Sequence, residues 1–453
     1  MVLLGTISLF CIAATALASP VHSGNNNNNW KNNIKNVVVL VQENRSFDTF
    51  AGGLTYSKDI NGLLHHKYCN PANVTDAHST QVCADKLTSA HDVDADDPNH
   101  SMSGINLQLY GTTDPNEALI KSGKLKANMQ GFITEQERTY GTTNLTRVSD
   151  VINYYTVNHI PVFSSMAENF VLFDRWFCDV SGPTNPNRAY ITSGTSNGHG
   201  SNDKSFDYGG LPQKSIFQQL SEKNITWINY SNSTTSPKGY MTPEDKGYTG
   251  FNPDSVFYNW TVASGAAKTN VKHFEQFITD AKNGDLPAFS YINPECCSFD
   301  SFHPPSPIDL GEKFLKIVYE ALRGSPQWNQ TLFILTFDEH GGFADHVPPP
   351  VNVPAGDSKT YVEKNHTFDF TRLGVRVPTI LMSPWVNKGV VEHKGSNNGG
   401  EYSHSSVLGF LAKLWDLDNL TPRTAWSSTF EHLFIDKPRT DTPAKLPEPV
   451  VFA

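Results

Sequence analysis

Hydrophobic positions along the chain fall into two rhythms. A short continuous apolar run, rich in β-branched residues, stands at residues 37–41, and similar, mostly apolar runs stand at 171–173, 288–292, 332–337 and 375–382. A run of this length without polar alternation marks a strand buried on both faces, as in a parallel sheet. Between the runs the period lengthens to that of a helix. Residues 310–322 place Phe314, Ile317, Val318 and Leu322 on one face and stop at Gly324. Residues 407–415 repeat the pattern with Leu408, Leu411 and Trp415. Buried strands alternating with amphipathic helices predict a layered α/β fold, with a central, mostly parallel sheet flanked by helices.

Residues 196–285 break this rhythm. They are rich in Asn, Ser, Gly and Tyr and read as a loop-rich, partly helical surface insertion, lid-like over a site. The Asn run at 25–29 makes 19–33 a disordered leader, with a single catalytic domain over 34–436. The prolines and charges from Lys437 onward make 437–453 an extended tail.

Residues 3–18 are apolar and end in Ala16-Leu17-Ala18, the small-x-small pattern at which a signal peptide is cut. The run falls short of the ~20 residues of a bilayer span. Residues 1–18 are therefore expected to leave a secreted, extracellular protein. Asn-x-Ser/Thr sequons at Asn73, Asn99, Asn144, Asn224, Asn229, Asn232, Asn259, Asn329 and Asn365 fit a glycoprotein, and Asn44 also matches the pattern but reads as a site residue. Beyond Cys11, five cysteines remain: Cys69, Cys83, Cys178, Cys296 and Cys297. An oxidising compartment pairs some of them. Cys69 with Cys83 is the natural local loop, and Cys178 has Cys296 and Cys297 as alternative partners. The formal net charge of -10 argues against nucleic acid, which needs a positive surface. No obligate protein partner is implied.

Acidic residues sit where two of the apolar runs end. Residues 37–41 lead into Gln42-Glu43-Asn44-Arg45-Ser46-Phe47-Asp48. Residues 332–337 lead into Asp338-Glu339-His340-Gly341-Gly342. Open α/β sheets bind ligands at the carboxyl ends of their strands, so two strands delivering acids there suggest a metal site. Each acid alone is equally well a helix cap. A third segment, Ser181-Gly182-Pro183-Thr184-Asn185-Pro186-Asn187-Arg188, makes a rigid turn and sets Thr184 at a helix start, which favours an anion. Arg188 is suited to hold a phosphate by bidentate bonds. Among sixteen histidines, His100, His303, His346 and His404 lie after strands or beside the acidic motifs. Any single histidine is more often structural than a ligand.

With these segments in view, the chain resembles the phosphoesterase family of bacterial non-haemolytic phospholipases C and related acid phosphatases, including fungal secreted members. The resemblance rests on Glu43-Asn44-Arg45-Ser46-Phe47-Asp48, Leu172-Phe173-Asp174-Arg175-Trp176 and Gly182-Pro183-Thr184-x-Pro186-Asn187-Arg188. It continues through Asp338-Glu339-x-Gly341-Gly342-Phe343-x-Asp345-His346-Val347, Ser383-Pro384-Trp385 and Ser403-His404-Ser405-Ser406-Val407-Leu408. It implies an alkaline-phosphatase-like fold and a hydroxyl nucleophile that forms a covalent phospho-enzyme. Thr184 matches the nucleophile; Glu43, Asn44, Asp338 and Glu339 match the metal and phosphate shell. His100, His303 and His346 match positions near phosphate or the leaving group. Asp300, His303 and His404, with Glu295 as a substitute, are the candidates for a second metal.

The expected chemistry follows. A divalent metal at Glu43, Asp338 and Glu339 polarises Thr184 and the phosphoryl oxygens. Asn44 and Arg188 carry the developing charge, and His303 or His346 protonates the leaving alkoxide. Zinc is the first expectation for the metal. An all-oxygen site at the three acids would equally suit calcium or magnesium. The expected substrate is a glycerophospholipid, cut to diacylglycerol and a phosphorylated head group, with transient contact to a lipid surface. Trp227, Phe251, Phe257 and Trp260 are the candidates for that contact. The alternatives are an acid phosphatase acting on soluble monoesters and an inactive secreted binding glycoprotein.

Overall fold

A computed structural model of the chain describes residues 30–87, 97–232, 238–246, 252–295, 300–395 and 400–451. The expected signal peptide, Phe251, Cys296 and Cys297 lie outside the described residues.

Eight strands form one sheet: β1 Asn36–Gln42, β2 Val171–Phe173, β3 Trp227–Ser231, β4 Val271–His273, β5 Phe289–Asn293, β6 Thr331–Phe337, β7 Thr379–Met382 and β8 Val390–Glu392. Their order is β8-β2-β7-β6-β1-β5-β3-β4. The sheet is parallel except for β7, which runs antiparallel to both β6 and β2. Every residue of β1 and β6 is buried, so both faces of the sheet centre are covered. That burial is what their unbroken Val, Leu, Ile and Phe runs anticipate. Helices Pro161–Asn169, Phe274–Asn283 and Ile308–Arg323 pack in one group. Helices Thr184–Ser193, Ile216–Glu222 and Ser405–Trp415 pack in another.

Five expectations need correction. Residues 196–285 are no surface lid, because β3 and β4 lie within them and extend the sheet. Trp227 and Phe257 belong to the core, and Trp260 packs partly buried against it. The expected leader 19–33 has its last four residues in a short helix, Trp30–Asn33, with Trp30 stacked 5.7 Å from Phe434. In helix Ile308–Arg323, Ile317 is 41% exposed and Leu315 and Tyr319 turn inward in its place. The run 375–382 is a strand only over Thr379–Met382.

The described residues of the C-terminal stretch, 437–451, form neither helix nor strand and dock along helix Ile308–Arg323. The Tyr319 hydroxyl donates to Pro443 O at 2.7 Å and Lys316 Nζ to Leu446 O at 2.6 Å. Cys69 and Cys83 form a disulfide, and Cys178 is a buried free thiol rather than half of a second one. Of the sequons, Asn73, Asn144, Asn224, Asn259, Asn329 and Asn365 are exposed, whereas Asn229 is buried within β3 and closed to glycosylation in the folded chain.

Candidate active site

The neighbouring parallel strands β1 and β6 bring Glu43-Asn44 and Asp338-Glu339 to the same edge of the sheet. The crossing is sealed by backbone bonds: Asp338 N donates to Gln42 O at 2.9 Å and Arg45 N to Glu339 O at 3.2 Å. Asn44 adopts a left-handed φ of 57°, which asparagine tolerates better than most side chains, and donates its N–H to Asp338 Oδ1 at 3.2 Å. Gly341 also has positive φ, at 64°, and its α-carbon lies so close to the Asn44 backbone that a side chain would collide with it. The glycine after the acids thus lets the two strand ends approach.

Thr184 is the first residue of helix Thr184–Ser193 and is half-buried. The preceding turn is latched by Asn187, whose amide donates to Val180 O, Gly182 O and Pro183 O at 3.0–3.2 Å and accepts from Val180 N at 2.8 Å. One turn along the helix, on the face of Thr184, stands Arg188. Its Nε donates to Asp338 Oδ2 at 3.1 Å. Its Nη2 donates to Glu43 Oε1 at 3.0 Å and to Val41 O at 3.2 Å. Nη1 lies 3.5 Å from Asp254 Oδ2. Arg188, expected to grip phosphate, instead spends its donors on three carboxylates and fastens the Thr184 helix to the acid cluster.

Charge in this cluster is unbalanced. Burial pushes Glu43 up to about 7, against the pull of Arg188. Burial likewise raises Asp338, again with Arg188 opposing, and raises Glu339, with His100 opposing. Two buried oxygens there, Asn44 Oδ1 and Glu339 Oε1, make no hydrogen bond. Buried oxygens without donors, beside carboxylates whose ionisation is disfavoured, are a set that a divalent cation fits. Among the described residues, the ligand atoms that lie within 4.8 Å of one another belong to two other groups: Asp97 with His100 and His303, and Asp48 with Asp345 and His346.

The first of these groups adjoins the acids. His100 donates from Nδ1 to Pro98 O at 2.8 Å, which leaves Nε2 facing Glu339 Oε1 at 3.8 Å. Burial would lower His100, but Glu339 and Asp97 override it and hold the ring up at about 9. His303 is arranged the same way, with Nδ1 on Pro304 O at 2.5 Å and Nε2 3.7 Å from Asp97 Oδ2. Burial pushes His303 below its ordinary range. Asp97 also accepts from Asn44 Nδ2 at 3.4 Å, tying the histidines to the acid edge.

The remaining expected residues lie elsewhere. His346 donates from its backbone and from Nδ1 to Asp48 Oδ2 at 2.7 and 2.6 Å, and its Nε2 meets Asn61 Oδ1 at 3.0 Å. Arg376 bridges Asp48 and Asp345 at 2.9 and 3.0 Å. His346 thus braces the loops behind the acids. Asp300 and His404 do not form the expected pair. Asp300 accepts from Glu295 N at 2.8 Å and from the Asn232 amide. His404 accepts from Trp176 Nε1 at 3.4 Å, and its Nε2 donates to Asp338 O at 2.6 Å. With both nitrogens engaged, His404 offers no lone pair to a metal.

Sequence reasoning passed over Asp97, Asp254 and His340. Asp97 sits three residues before His100 and was in plain view. Asp254 carries no local signal; only the fold sets it against Arg188, with Tyr291 and Asn293 donating to it at 2.5 and 2.8 Å. His340 lies inside the acidic motif, its Nε2 3.0 Å from Gln108 Oε1.

Buried acids at adjacent strand ends, a hydroxyl at a helix start and histidines along one rim define an enzyme that acts on phosphate esters. The chain belongs to the phosphoesterase family, whose model matches residues 34–418, and it is a hydrolase acting on phosphoric ester bonds. It is 35% identical to non-specific phospholipase C6 of Arabidopsis thaliana, over 98% of this chain and 79% of that protein. It is 37% identical to non-specific phospholipase C1 of the same plant, over 92% and 74%. Phospholipase C B of Mycobacterium tuberculosis is 24% identical over 92% of this chain and 82% of its own length. Among solved structures, an alkaline phosphatase superfamily protein from Vibrio parahaemolyticus aligns with a TM-score of 0.34 at 13% identity, covering 59% of this chain and 63% of that one.

Proposed function

We propose that the protein is a secreted, metal-dependent phospholipase C that cuts glycerophospholipids through a phospho-threonine at Thr184. The observation that carries the reading is Arg188, one turn along from Thr184, which ties the helix that Thr184 opens to Glu43 and Asp338. Relatives named as phospholipases C, matching over most of both chains, support the substrate class.

Glu43, Asp338 and Glu339, with the Asn44 amide oxygen, would hold the divalent cation, which supplies charge neutralisation for the phosphoryl oxygens. The donors are all oxygen, a set that favours calcium or magnesium over zinc. The Thr184 oxygen attacks phosphorus in line, its proton passing to a neighbouring carboxylate. The bond from phosphorus to the diacylglycerol oxygen breaks, and that oxygen takes a proton from the His100–His303 pair. Water then attacks the phospho-threonine, releasing the phosphorylated head group and restoring the hydroxyl. His100, which Glu339 and Asp97 hold charged at about 9, fits the acid's part better than His303, which burial pushes below its ordinary range, or His346, whose two nitrogens are held by Asp48 and Asn61.

Thr184→Ala is the test. A folded variant is expected to lose phosphatidylcholine hydrolysis, while Thr184→Ser keeps part of it. Near-wild-type release of diacylglycerol by the alanine variant would sink the assignment. Turnover of soluble monoesters alone by the wild type would favour the acid phosphatase.

A further inference from the structure

At the carboxyl end of β4 a groove of about 670 Å³ opens between the edge of the sheet, the loop at Lys238 and Tyr240, and the start of helix Phe274–Asn283. Lys238, Lys268, Lys272 and His273 line it, with Glu275 as the single carboxylate among the lining residues. The loop is seated closely: Gly239, at φ 80°, lies against the Lys272 carbonyl with no room for a side chain. Three lysines on one groove stand out in a chain whose net charge is -10.

The position of the groove gives it meaning. β1, β5, β3 and β4 are successive parallel neighbours, so their carboxyl ends share one edge. Register links His273 to Ser231 and Ser231 to Asn293, close to the row from which Glu43 emerges. Three strand spacings make a lateral offset of about 14 Å between the groove and the end of β1. A surface that meets the catalytic edge therefore also meets the lysines.

We propose that this groove takes the phosphate head group of an anionic lipid, tethering the enzyme to the surface on which its substrate lies. The proposal rests on the phospholipase reading. A membrane lipid fits better than a soluble phosphate. The groove is open, and its cations are lysines on flexible stems, which act as point charges instead of the planar fork that grips one small anion. Lysines near an anionic surface each strengthen partitioning by about five-fold, and the attraction fades beyond a Debye length. The rest of the acidic chain is repelled by such a surface, so the groove also orients the enzyme. The aromatic residues expected to touch lipid, Trp227 and Phe257, are in the core and leave this task to charge.

The test is co-sedimentation of the full chain with vesicles of phosphatidylcholine alone, or mixed with phosphatidic acid. Wild type is expected to bind the mixed vesicles more tightly. Lys268→Glu/Lys272→Glu is expected to lose at least about ten-fold of that binding, with an unchanged melting temperature. Equal binding by both proteins, or no preference of the wild type for anionic vesicles, overturns the proposal. Displacement by millimolar inorganic phosphate at constant ionic strength would assign the groove to free phosphate and also overturn it. Binding is read in the Thr184→Ala background, so a failure of tethering and a failure of the phospholipase reading remain distinct.

Discussion

Arg188 donates from Nε to Asp338 Oδ2 at 3.1 Å, and both side chains are buried. The same guanidinium reaches Glu43 and lies near Asp254, so one cation answers three carboxylates at the root of the Thr184 helix. Removing it leaves those charges uncompensated in the interior. Breaking a buried pair from one side costs about 3–5 kcal/mol. Arg188→Met is therefore expected to lower stability by that order and to abolish turnover. Chemical denaturation with a parallel assay checks both, and a variant as stable as wild type would contradict the role given to this contact.

Metal removal follows from the same imbalance. The acid cluster binds protons more readily than ordinary carboxylates because burial disfavours their charge. A cation that binds the folded state alone stabilises it by mass action. Exhaustive chelation is expected to abolish hydrolysis and lower the melting temperature. Calcium or magnesium should restore both more fully than zinc, as the oxygen donors imply. Thermal scans with each metal read this directly, and restoration by zinc alone would return the assignment to a nitrogen-containing site.

His100 and His346 separate by leaving group. A general acid matters most when the departing oxygen is a poor leaving group. His100→Ala should lose about 10²–10⁴ in kcat on a phospholipid and much less on a nitrophenyl ester. His346→Ala, by loosening the Asp48 brace, should lose similar factors on both. Paired kinetics on the two substrates decide the matter; a leaving-group-dependent loss confined to His346→Ala would reverse the assignment.

The parts of this arrangement that were legible in the sequence are those written in continuous hydrophobicity. β1 is apolar between its end residues, and β6 is polar only at Thr331 and Thr336, so the acids that follow them can be placed on one sheet edge from the sequence. β3 was hidden because Asn229 and Ser231 interrupt its run. The fold satisfies that buried amide with Tyr291 O at 3.2 Å and Asn293 Oδ1 at 2.8 Å, partners more than sixty residues away. The role of Arg188 was misjudged for the same kind of reason. Its local motif suggests an anion grip, but Asp254 reaches it only through the tertiary path of residues 196–285. The second metal pair failed because a histidine's ligand capacity depends on its neighbours. Trp176 and the Asp338 carbonyl occupy both nitrogens of His404.

Glu312 offers a prediction away from the site. From the middle of helix Ile308–Arg323 its carboxyl accepts the N–H groups of Val162 and Phe163, at 2.6 and 2.9 Å, and so caps the start of helix Pro161–Asn169. Burial outweighs these two bonds and raises the group from 4.5 to about 8. The folded-state value lies above the unfolded one. The stability it contributes is therefore fully present below about pH 4.5 and is lost as the pH rises through about 8. Over that window the unfolded chain releases a proton that the folded chain retains, a difference on the order of a few kcal/mol. Glu312→Gln removes the titration and keeps one acceptor, at a cost of about 1 kcal/mol for the lost bond. Urea midpoints measured at pH 5 and pH 8 should fall more steeply for wild type than for the glutamine variant. Parallel pH slopes in the two proteins would show that Glu312 is ionised in the fold, with the helix amides outweighing its burial.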